Sequence, residues 1–401
     1  ITAKAAGNAD ITLFGDAASD AIDIEAEDLT LTSRGNISNG SYKAGNALRV
    51  YNAKGGTITG GTFKGADTTL TNEADLSGAK IEGTETLTVK NAASIQNATL
   101  TGGAATVDNH GKGSVMKDVT LTGSAITLTN EGTVENGSYT AETGAMTITN
   151  RGELSSGTYT AKGTMDITNQ GTIENGKYTA HGDLTYTDTA EASLKDGTLI
   201  SEEGKATITA HGVLQIKKLS AKDSATVEAD HDVTLTEAEA GTLAISSGGS
   251  VNAGTLTAKT GDASVTAKKD VTIGTLNAKE HAELTSGGTM TLESANAKSL
   301  TAKAGTTLDA TKIHTTGDAS LASGSDMILH EAEAGGKLMM SAGGSISVKG
   351  TDAKISGSTI EMTAKEDIRI TDRSPVGKLE GVDTSTPAGA VTGSGAAGSL
   401  V

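Results

Sequence analysis

A short sequence unit recurs along the first half of the chain with a period of 19 or 20 residues. Its clearest copies lie between Ile126 and Gly182 and read ITLTNEGTVENGSYTAETG, MTITNRGELSSGTYTAKG and MDITNQGTIENGKYTAHG. Each copy places an asparagine two residues before a glycine, and a second glycine two residues before a tyrosine. A regular period of this length is too short for a helix pair, so we expect a stack of repeated coils.

The asparagine position continues beyond the three clear copies. At intervals of 18 to 21 residues it is occupied by Ser33, Asn52, Asn72, Asn91, Asn109, Asn130, Asn150, Asn169 and Asp188. Aligned asparagines in parallel coils can hydrogen-bond to the copies above and below and hold the adjoining turn. We predict a structural asparagine ladder; a ligand-binding polar row is the alternative.

Alternation within each unit is typical of strands. Met146 and Ile148 are predicted to face inward, whereas Thr147 and Thr149 face outward. Each unit repeats in the same direction with the same asymmetry, which favours three short strands per unit and parallel stacking of successive units. The outward threonine rows resemble those of ice-binding solenoids, but β-sheets favour threonine in any case.

A tyrosine column accompanies the asparagine column. It contains Tyr139, Tyr159 and Tyr178, with Tyr42 at the equivalent place. Alanines two residues further on share its side of the strand, which favours an internal aromatic stack. A surface strip that stacks on sugars is the alternative.

Near Thr207 the repeat changes its residue pattern but keeps its period. An apolar residue is now followed by a polar turn and a second apolar residue six positions later. The pairs are Ile208/Leu214, Val227/Val233, Ile245/Val251, Val265/Val271, Leu284/Met290, Ala302/Leu308, Leu321/Met327, Met340/Ile346 and Met362/Ile368. We interpret this as one solenoid with two coil types. Residues 1–32 show a poorer version of the first type.

Composition narrows the possible functions. Aromatic residues make up only 2 % of the chain and cysteine is absent, so the core is expected to be thin and free of disulfides. The formal net charge of −17 argues against nucleic acid, heparin-like polyanions and anionic lipid as partners. No apolar run is long enough to cross a membrane. Because Ile1 falls within the pattern, we expect this sequence to be part of a longer protein.

No residue pattern indicates catalysis or cofactor binding. His110, His181, His211, His231, His281, His314 and His330 lack metal-site spacing and are expected to be solvated. The carboxylates Asp230, Asp232, Glu237 and Glu239 are dispersed on predicted turns. Sequons at Asn36, Asn39, Asn97 and Asn136 are expected by chance at this composition. We therefore assign no catalytic, cofactor-binding or metal-ligating residues.

The second-half units, such as ASVTAKKDVTIGTLNAKEHAELTSGGTMTLESANAK, resemble the repeat region of filamentous haemagglutinins and related large exoproteins of two-partner secretion. Contact-dependent growth inhibition proteins and autotransporter passengers carry similar repeats. The resemblance spans roughly residues 10–372. It implies a right-handed parallel β-helix, export through an outer-membrane β-barrel transporter, and a surface fibre that displays a distal adhesive or toxic module.

Together these observations predict an all-β parallel β-helix of about 19 coils. Residues 1–372 form a single β-helix, with an asparagine-ladder coil type over 1–205 and a haemagglutinin-repeat type over 206–372; residues 373–401 form a flexible linker or tail. The expected function is the structural stalk of a secreted bacterial surface adhesin, located outside the cell and involved in virulence, with a host or bacterial receptor or glycan as partner. A β-helix polysaccharide lyase or hydrolase, and direct glycan or receptor binding by the coils, are the alternatives.

Overall fold

The chain folds as a parallel β-solenoid of about 19 turns, which confirms the predicted fold class. The computed structural model describes residues 2–18, 22–350, 353–371 and 390–400. Across these residues the secondary structure consists of β-strands, and no helix is present. Most strands are short because each covers a single side of a coil before the chain turns, whereas a longer strand such as Thr120–Asn130 pairs with two strands of the next coil.

The chain divides into two compact units, Ile1–Gly204 and Lys205–Val401. This division falls beside the position at which the sequence changes from one repeat type to the other. Each unit consists of stacked coils with its own interior. The prediction that residues 1–372 form one uninterrupted β-helix stays a prediction.

The described residues of the first unit form 26 strands. Their bounds are β1 Thr2–Lys4, β2 Ala9–Leu13, β3 Ala17–Ala18, β4 Asp23–Ala26, β5 Leu29–Ser33, β6 Asn36–Ser38, β7 Ser41–Ala44, β8 Ala47–Asn52, β9 Thr57–Thr59, β10 Thr62–Asn72, β11 Asp75–Ser77, β12 Lys80–Asn91, β13 Ser94–Gln96, β14 Thr99–Asn109, β15 Val115–Lys117, β16 Thr120–Asn130, β17 Thr133–Glu135, β18 Ser138–Ala141, β19 Met146–Asn150, β20 Glu153–Ser155, β21 Thr158–Ala161, β22 Met165–Asn169, β23 Thr172–Glu174, β24 Lys177–Ala180, β25 Leu184–Asp188 and β26 Ser193–Ser201.

In the second unit, the part of the chain that the structure describes forms 19 strands. Their bounds are β27 Ala206–Ala210, β28 Val213–Ala221, β29 Ser224–Ala229, β30 Val233–Ala240, β31 Thr242–Ser247, β32 Val251–Ala258, β33 Ala263–Ala267, β34 Val271–Ala278, β35 His281–Ser286, β36 Met290–Ala297, β37 Ser299–Ala304, β38 Leu308–Thr315, β39 Ala319–Ser323, β40 Met327–Ala334, β41 Lys337–Ala342, β42 Ile346–Lys349, β43 Lys354–Ala364, β44 Ile368–Thr371 and β45 Ala390–Leu400.

Coils of the first unit have three strand segments, as predicted. Strands β17, β18 and β19 form one coil and pair in parallel with β20, β21 and β22 of the next. The register aligns Val134 with Leu154 and Tyr139 with Tyr159. Met146 and Ile148 are fully buried, whereas Thr147 is exposed. The inward and outward faces are therefore those that the alternation predicted.

Coils of the second unit have two longer strands, and the longer one bends. In the pairing of β28 with β30, Ile216 is opposite Leu235 and Lys218 is opposite Glu237, so the residue between them is skipped. Both members of the predicted apolar pairs lie in register on successive coils, and all except Ile368 are buried. These columns are confirmed.

A further inward column follows each skipped residue and was not recognised in the sequence. It contains Leu219, Ala238, Leu256, Leu276, Ala295, Ile313, Ala332 and Ile355, all buried. The column mixes alanine with leucine and isoleucine, so hydrophobicity alone does not reveal it in the sequence. It supplies the third side of the core in this unit.

The segment predicted to be a linker or tail lies largely outside the described residues. Within it, β45 pairs antiparallel with β43. Every other strand pairing with a described register is parallel, so the parallel stacking inferred from the repeat is confirmed for the coils of each unit.

Candidate functional site

The asparagine column forms a continuous hydrogen-bonded ladder inside the first unit. The side-chain amide of each asparagine donates to the side-chain carbonyl of the next copy, over distances of 2.7 to 2.8 Å from Asn52 to Asn169. All of these asparagines are fully buried. The structural ladder is therefore confirmed, and the side chains are not available to an external ligand.

Each amide also holds a turn of the neighbouring coil. Asn130 Nδ2 donates to the carbonyl oxygen of Glu153 at 3.0 Å and to that of Gly132 at 3.0 Å. In the next copy, the backbone N–H of Gly152 donates to Asn150 Oδ1 at 3.2 Å. Asparagine suits this position because it carries both donor and acceptor on a short side chain.

The two ends of the ladder differ. At the first end, Ser33 donates to the carbonyl of Gly35 at 2.8 Å, and Asn52 Oδ1 has no hydrogen-bond partner in the described structure. At the other end, Asn169 donates to the hydroxyl of Tyr186 at 3.1 Å, and that hydroxyl donates to Asp188 at 3.0 Å. Burial, together with the Asp188 carboxylate, raises the pKa of Tyr186.

The tyrosine column is an internal aromatic stack, as predicted. The rings of Tyr139, Tyr159 and Tyr178 are stacked with centroid separations of 4.9 and 4.7 Å, and Tyr42 is stacked on Phe63 at 4.9 Å. All five rings are fully buried, which argues against a sugar-stacking strip at the surface. The role of Phe63 was missed because its coil lacks the tyrosine that marked the motif.

From Asn39 to Asp196, one corner of successive first-unit coils has a left-handed backbone. Positive φ values of 50 to 61° occur at Asn39, Asn97, Asp118, Asn136, Ser156, Asn175 and Asp196, and glycines take the same place at Gly60 and Gly78. Asparagine, aspartate and glycine adopt this conformation at least cost. Three of the four sequon asparagines lie here, so the corner accounts for them structurally. In the sequence, the Asn-Gly pair of the repeat marks this left-handed corner.

The seven histidines are exposed or half-buried, and the structure does not gather them. Four face a carboxylate on the adjacent coil: His110 with Glu131, His181 with Glu202, His211 with Asp230 and His314 with Glu333, at 2.7 to 3.4 Å. Among the described residues, no group of three or more histidines and carboxylates is placed to hold a metal ion.

The four dispersed carboxylates contact groups of neighbouring coils; Asp230 and Asp232 lie in a turn as predicted, whereas Glu237 and Glu239 lie in strand β30. Asp230 accepts a hydrogen bond from His211 at 2.7 Å, which lowers the pKa of the Asp230 carboxyl. Glu237 pairs with Lys218 at 2.9 Å, and Glu239 pairs with Lys259. Asp232 accepts the backbone N–H of Ser250 at 2.7 Å. These contacts bridge coils and are typical of a solvated, charged face.

Two shallow grooves mark the surface of the second unit. One, of about 510 Å³, contains His211, Asp230 and Lys268. The other, of about 620 Å³, spans four coils and includes Asn277, Asn296 and His314. The second groove combines amides, hydroxyls and lysines, which are groups that bind polar ligands.

No protein-family model, curated protein or solved structure matches this chain. In the part of the chain that the structure describes, no helix has the length and apolar character needed to cross a membrane. The fold itself therefore defines the class: a repeat protein built as a parallel β-solenoid.

Proposed function

We propose that this chain is a structural spacer in a secreted bacterial surface adhesin of the filamentous haemagglutinin type. The observation that supports it most directly is the unbroken asparagine ladder from Asn52 to Asn169. A ladder that repeats the same contact on every coil makes each coil equivalent, so length can be added or removed without changing the local structure.

The interior contacts suit a spacer that must remain ordered outside a cell. Within a unit, each coil pairs its backbone with the coils on either side, and each asparagine adds hydrogen bonds between coils. One such bond contributes about 1 kcal/mol, so stability accumulates with coil number. The absence of cysteine in the sequence is compatible with passage through a membrane transporter as an unfolded chain. In this proposal the transporter is an outer-membrane β-barrel, and a distal module binds a cell-surface receptor or glycan.

Removal of whole coils tests the proposal. Deleting residues 131–169 removes two coils and joins Asn130 to Gln170, which restores the Asn169–Gln170 step of the original sequence. The shortened protein should keep its β-sheet circular dichroism and lose about 10 Å of length at a rise of about 4.8 Å per coil. Cells that display it should retain adhesion.

The matched control removes half a coil. Deleting residues 131–140 shifts every later strand out of register, so folding and surface display should both fail. If the two-coil deletion folds normally but abolishes adhesion, the coils themselves carry the activity and the spacer proposal is wrong.

A further inference from the structure

Three of the left-handed corners carry an asparagine followed directly by a glycine. The pairs are Asn39-Gly40, Asn136-Gly137 and Asn175-Gly176, and the asparagine is exposed in each. The fold calls for both residues, because asparagine adopts the positive φ at little cost and the glycine leaves room for the aromatic ring two residues later. Packing therefore places the same chemically sensitive pair at one corner of several coils.

An exposed Asn-Gly pair is unstable in a flexible chain. The backbone nitrogen of the glycine attacks the side-chain carbonyl carbon of the asparagine, and its N–H proton passes through solvent to the departing ammonia. The product is a five-membered succinimide ring, which water opens to aspartate or isoaspartate. Glycine favours the attack because no side chain hinders its nitrogen, and asparagine is accordingly a thermolabile residue.

The left-handed corner holds the two reacting atoms apart. The ring closes only when the glycine nitrogen lies beside the asparagine Cβ, eclipsed about the Cα–C bond. Asn136 and Asn175 have φ values of 54 and 53°. A residue other than glycine with such a φ lies in the left-handed region, where ψ is about +47°. At that ψ the glycine nitrogen is nearly opposite the Cβ, so ring closure needs a rotation of about half a turn.

Hydrogen bonds between coils prevent that rotation. The backbone N–H of Asn136 donates to the carbonyl oxygen of Ser155 at 3.0 Å, and the carbonyl oxygen of Gly137 accepts from the N–H of Thr158 at 2.8 Å. The corner at Asn175 has the two equivalent bonds, at 3.0 and 2.9 Å. These bonds fix the chain on both sides of the corner. The rotation therefore requires the coil to separate from its neighbour.

We propose that these three corners are latent modification sites, at which stacking of the coils blocks deamidation and separation of the coils permits it. The corner accommodates aspartate, since Asp118 and Asp196 have the same backbone with φ values of 53 and 52°. Isoaspartate adds a carbon atom to the backbone between two strands whose register is fixed, so it does not fit. Protection preserves the register of the stack, and a modified corner marks a coil that has opened. This property goes beyond the proposed spacer function and does not depend on it.

Peptide-mapping mass spectrometry tests the protection. The full chain is kept in mildly alkaline buffer, and the conversion of Asn136 and Asn175 to aspartate and isoaspartate is followed over time. The folded chain should react at least about tenfold more slowly than the same chain in guanidinium chloride, because only coils that have opened can react.

Two variants separate the left-handed backbone from folding in general. Ser156→Asn places an asparagine before Gly157 at an exposed corner with a φ of 54°. Lys112→Asn places one before Gly113 in an exposed turn, at a position whose φ is not positive. In the folded protein, the asparagine introduced by Lys112→Asn should convert at least about tenfold faster than the one introduced by Ser156→Asn.

Circular dichroism establishes that both variants are folded, and the parent chain supplies the comparison at Asn136 and Asn175 in any case. The proposal is overturned if these two asparagines convert as fast in the folded chain as in guanidinium chloride. It is also overturned if the asparagines introduced by the two variants convert at equal rates, since the left-handed backbone would then give no protection of its own. Neither result affects the spacer function, which the coil deletions test separately.

Discussion

The ring of Tyr159 lies directly over the backbone of Gly157, two residues earlier in the same coil. A Cβ atom at Gly157 would be 2.7 Å from Cε2 of the tyrosine and 2.8 Å from its hydroxyl oxygen. The same relationship joins Gly137 to Tyr139 and Gly176 to Tyr178. The glycine and the tyrosine of the repeat therefore pack together: because the glycine has no side chain, the stacked tyrosine ring can lie against its backbone.

Gly157→Ala should destabilise the protein by about 1–3 kcal/mol, because the stacked ring has no free direction in which to move. Chemical denaturation monitored by circular dichroism measures the change. Gly113→Ala is the control, since a Cβ there meets no atom within 4 Å, and its effect should remain within about 0.5 kcal/mol. Equal losses in the two variants would mean that the ring contact is not the cause.

Tyr159→Phe should stabilise the protein by about 1 kcal/mol at neutral pH. The hydroxyl of Tyr159 is buried without a hydrogen-bond partner in the described structure, so its removal ends a desolvation cost. Phe63 already stacks against Tyr42 in the same column, which shows that the column accepts phenylalanine. Tyr51→Phe, which removes a 2.7 Å hydrogen bond to Glu73, should give no such gain.

The Tyr159→Phe variant should also have a different dependence of stability on pH. Burial raises the pKa of Tyr159 above its ordinary value of 10.0, so the folded state favours the protonated hydroxyl. This preference contributes fully to the stability of the folded state below pH 10. The contribution is lost as the pH rises further, because the tyrosine hydroxyl then ionises more readily in the unfolded chain than in the folded one. Unfolding measured at about pH 8 and about pH 11 should show a smaller alkaline loss in Tyr159→Phe than in the parent protein. Equal alkaline losses of stability in the variant and the parent protein would contradict the raised pKa of Tyr159.

Ser33→Asn should extend the asparagine ladder by one coil. Ser33 is in register with Asn52, whose Oδ1 is unpaired among the described residues, and an asparagine there can donate to it. We expect a gain of about 1 kcal/mol, the contribution of one buried hydrogen bond, measured by thermal unfolding. Ser33→Ala, which removes the bond to Gly35, should lower stability instead. A gain in both variants would show that the ladder contact is irrelevant.

Ser156→Gly should stabilise the first unit by about 0.5 kcal/mol, because Ser156 has a φ of 54° and glycine adopts that conformation without strain. Ser138→Gly provides a control of opposite sign. Ser138 lies in strand β18, where glycine should cost about 0.5–1 kcal/mol. Denaturation midpoints of the two variants should therefore move in opposite directions, and a shared direction would refute the corner assignment.

The sequence by itself determined the period, the parallel stacking and most of the inward columns. These features could be predicted because every coil must meet the same packing requirement, so the same residue pattern recurs in coil after coil. Asn130 and Asn150, or Val227 and Val233, identify their columns by repetition alone. The left-handed corners were also present in the sequence, but as a mixture of asparagine, aspartate, serine and glycine that conceals a single backbone conformation.

Only the tertiary structure decided which different side chains meet across neighbouring coils. The pairing of Lys298 with Glu280 and the groove beside Asn277 and Asn296 depend on the register between strands about 19 residues apart. Coil length varies by a few residues, and the difference is taken up in turns and at bulges such as the one between Gly83 and Thr86. The interior tolerates little variation because it is close-packed, whereas the surface is free to differ from coil to coil.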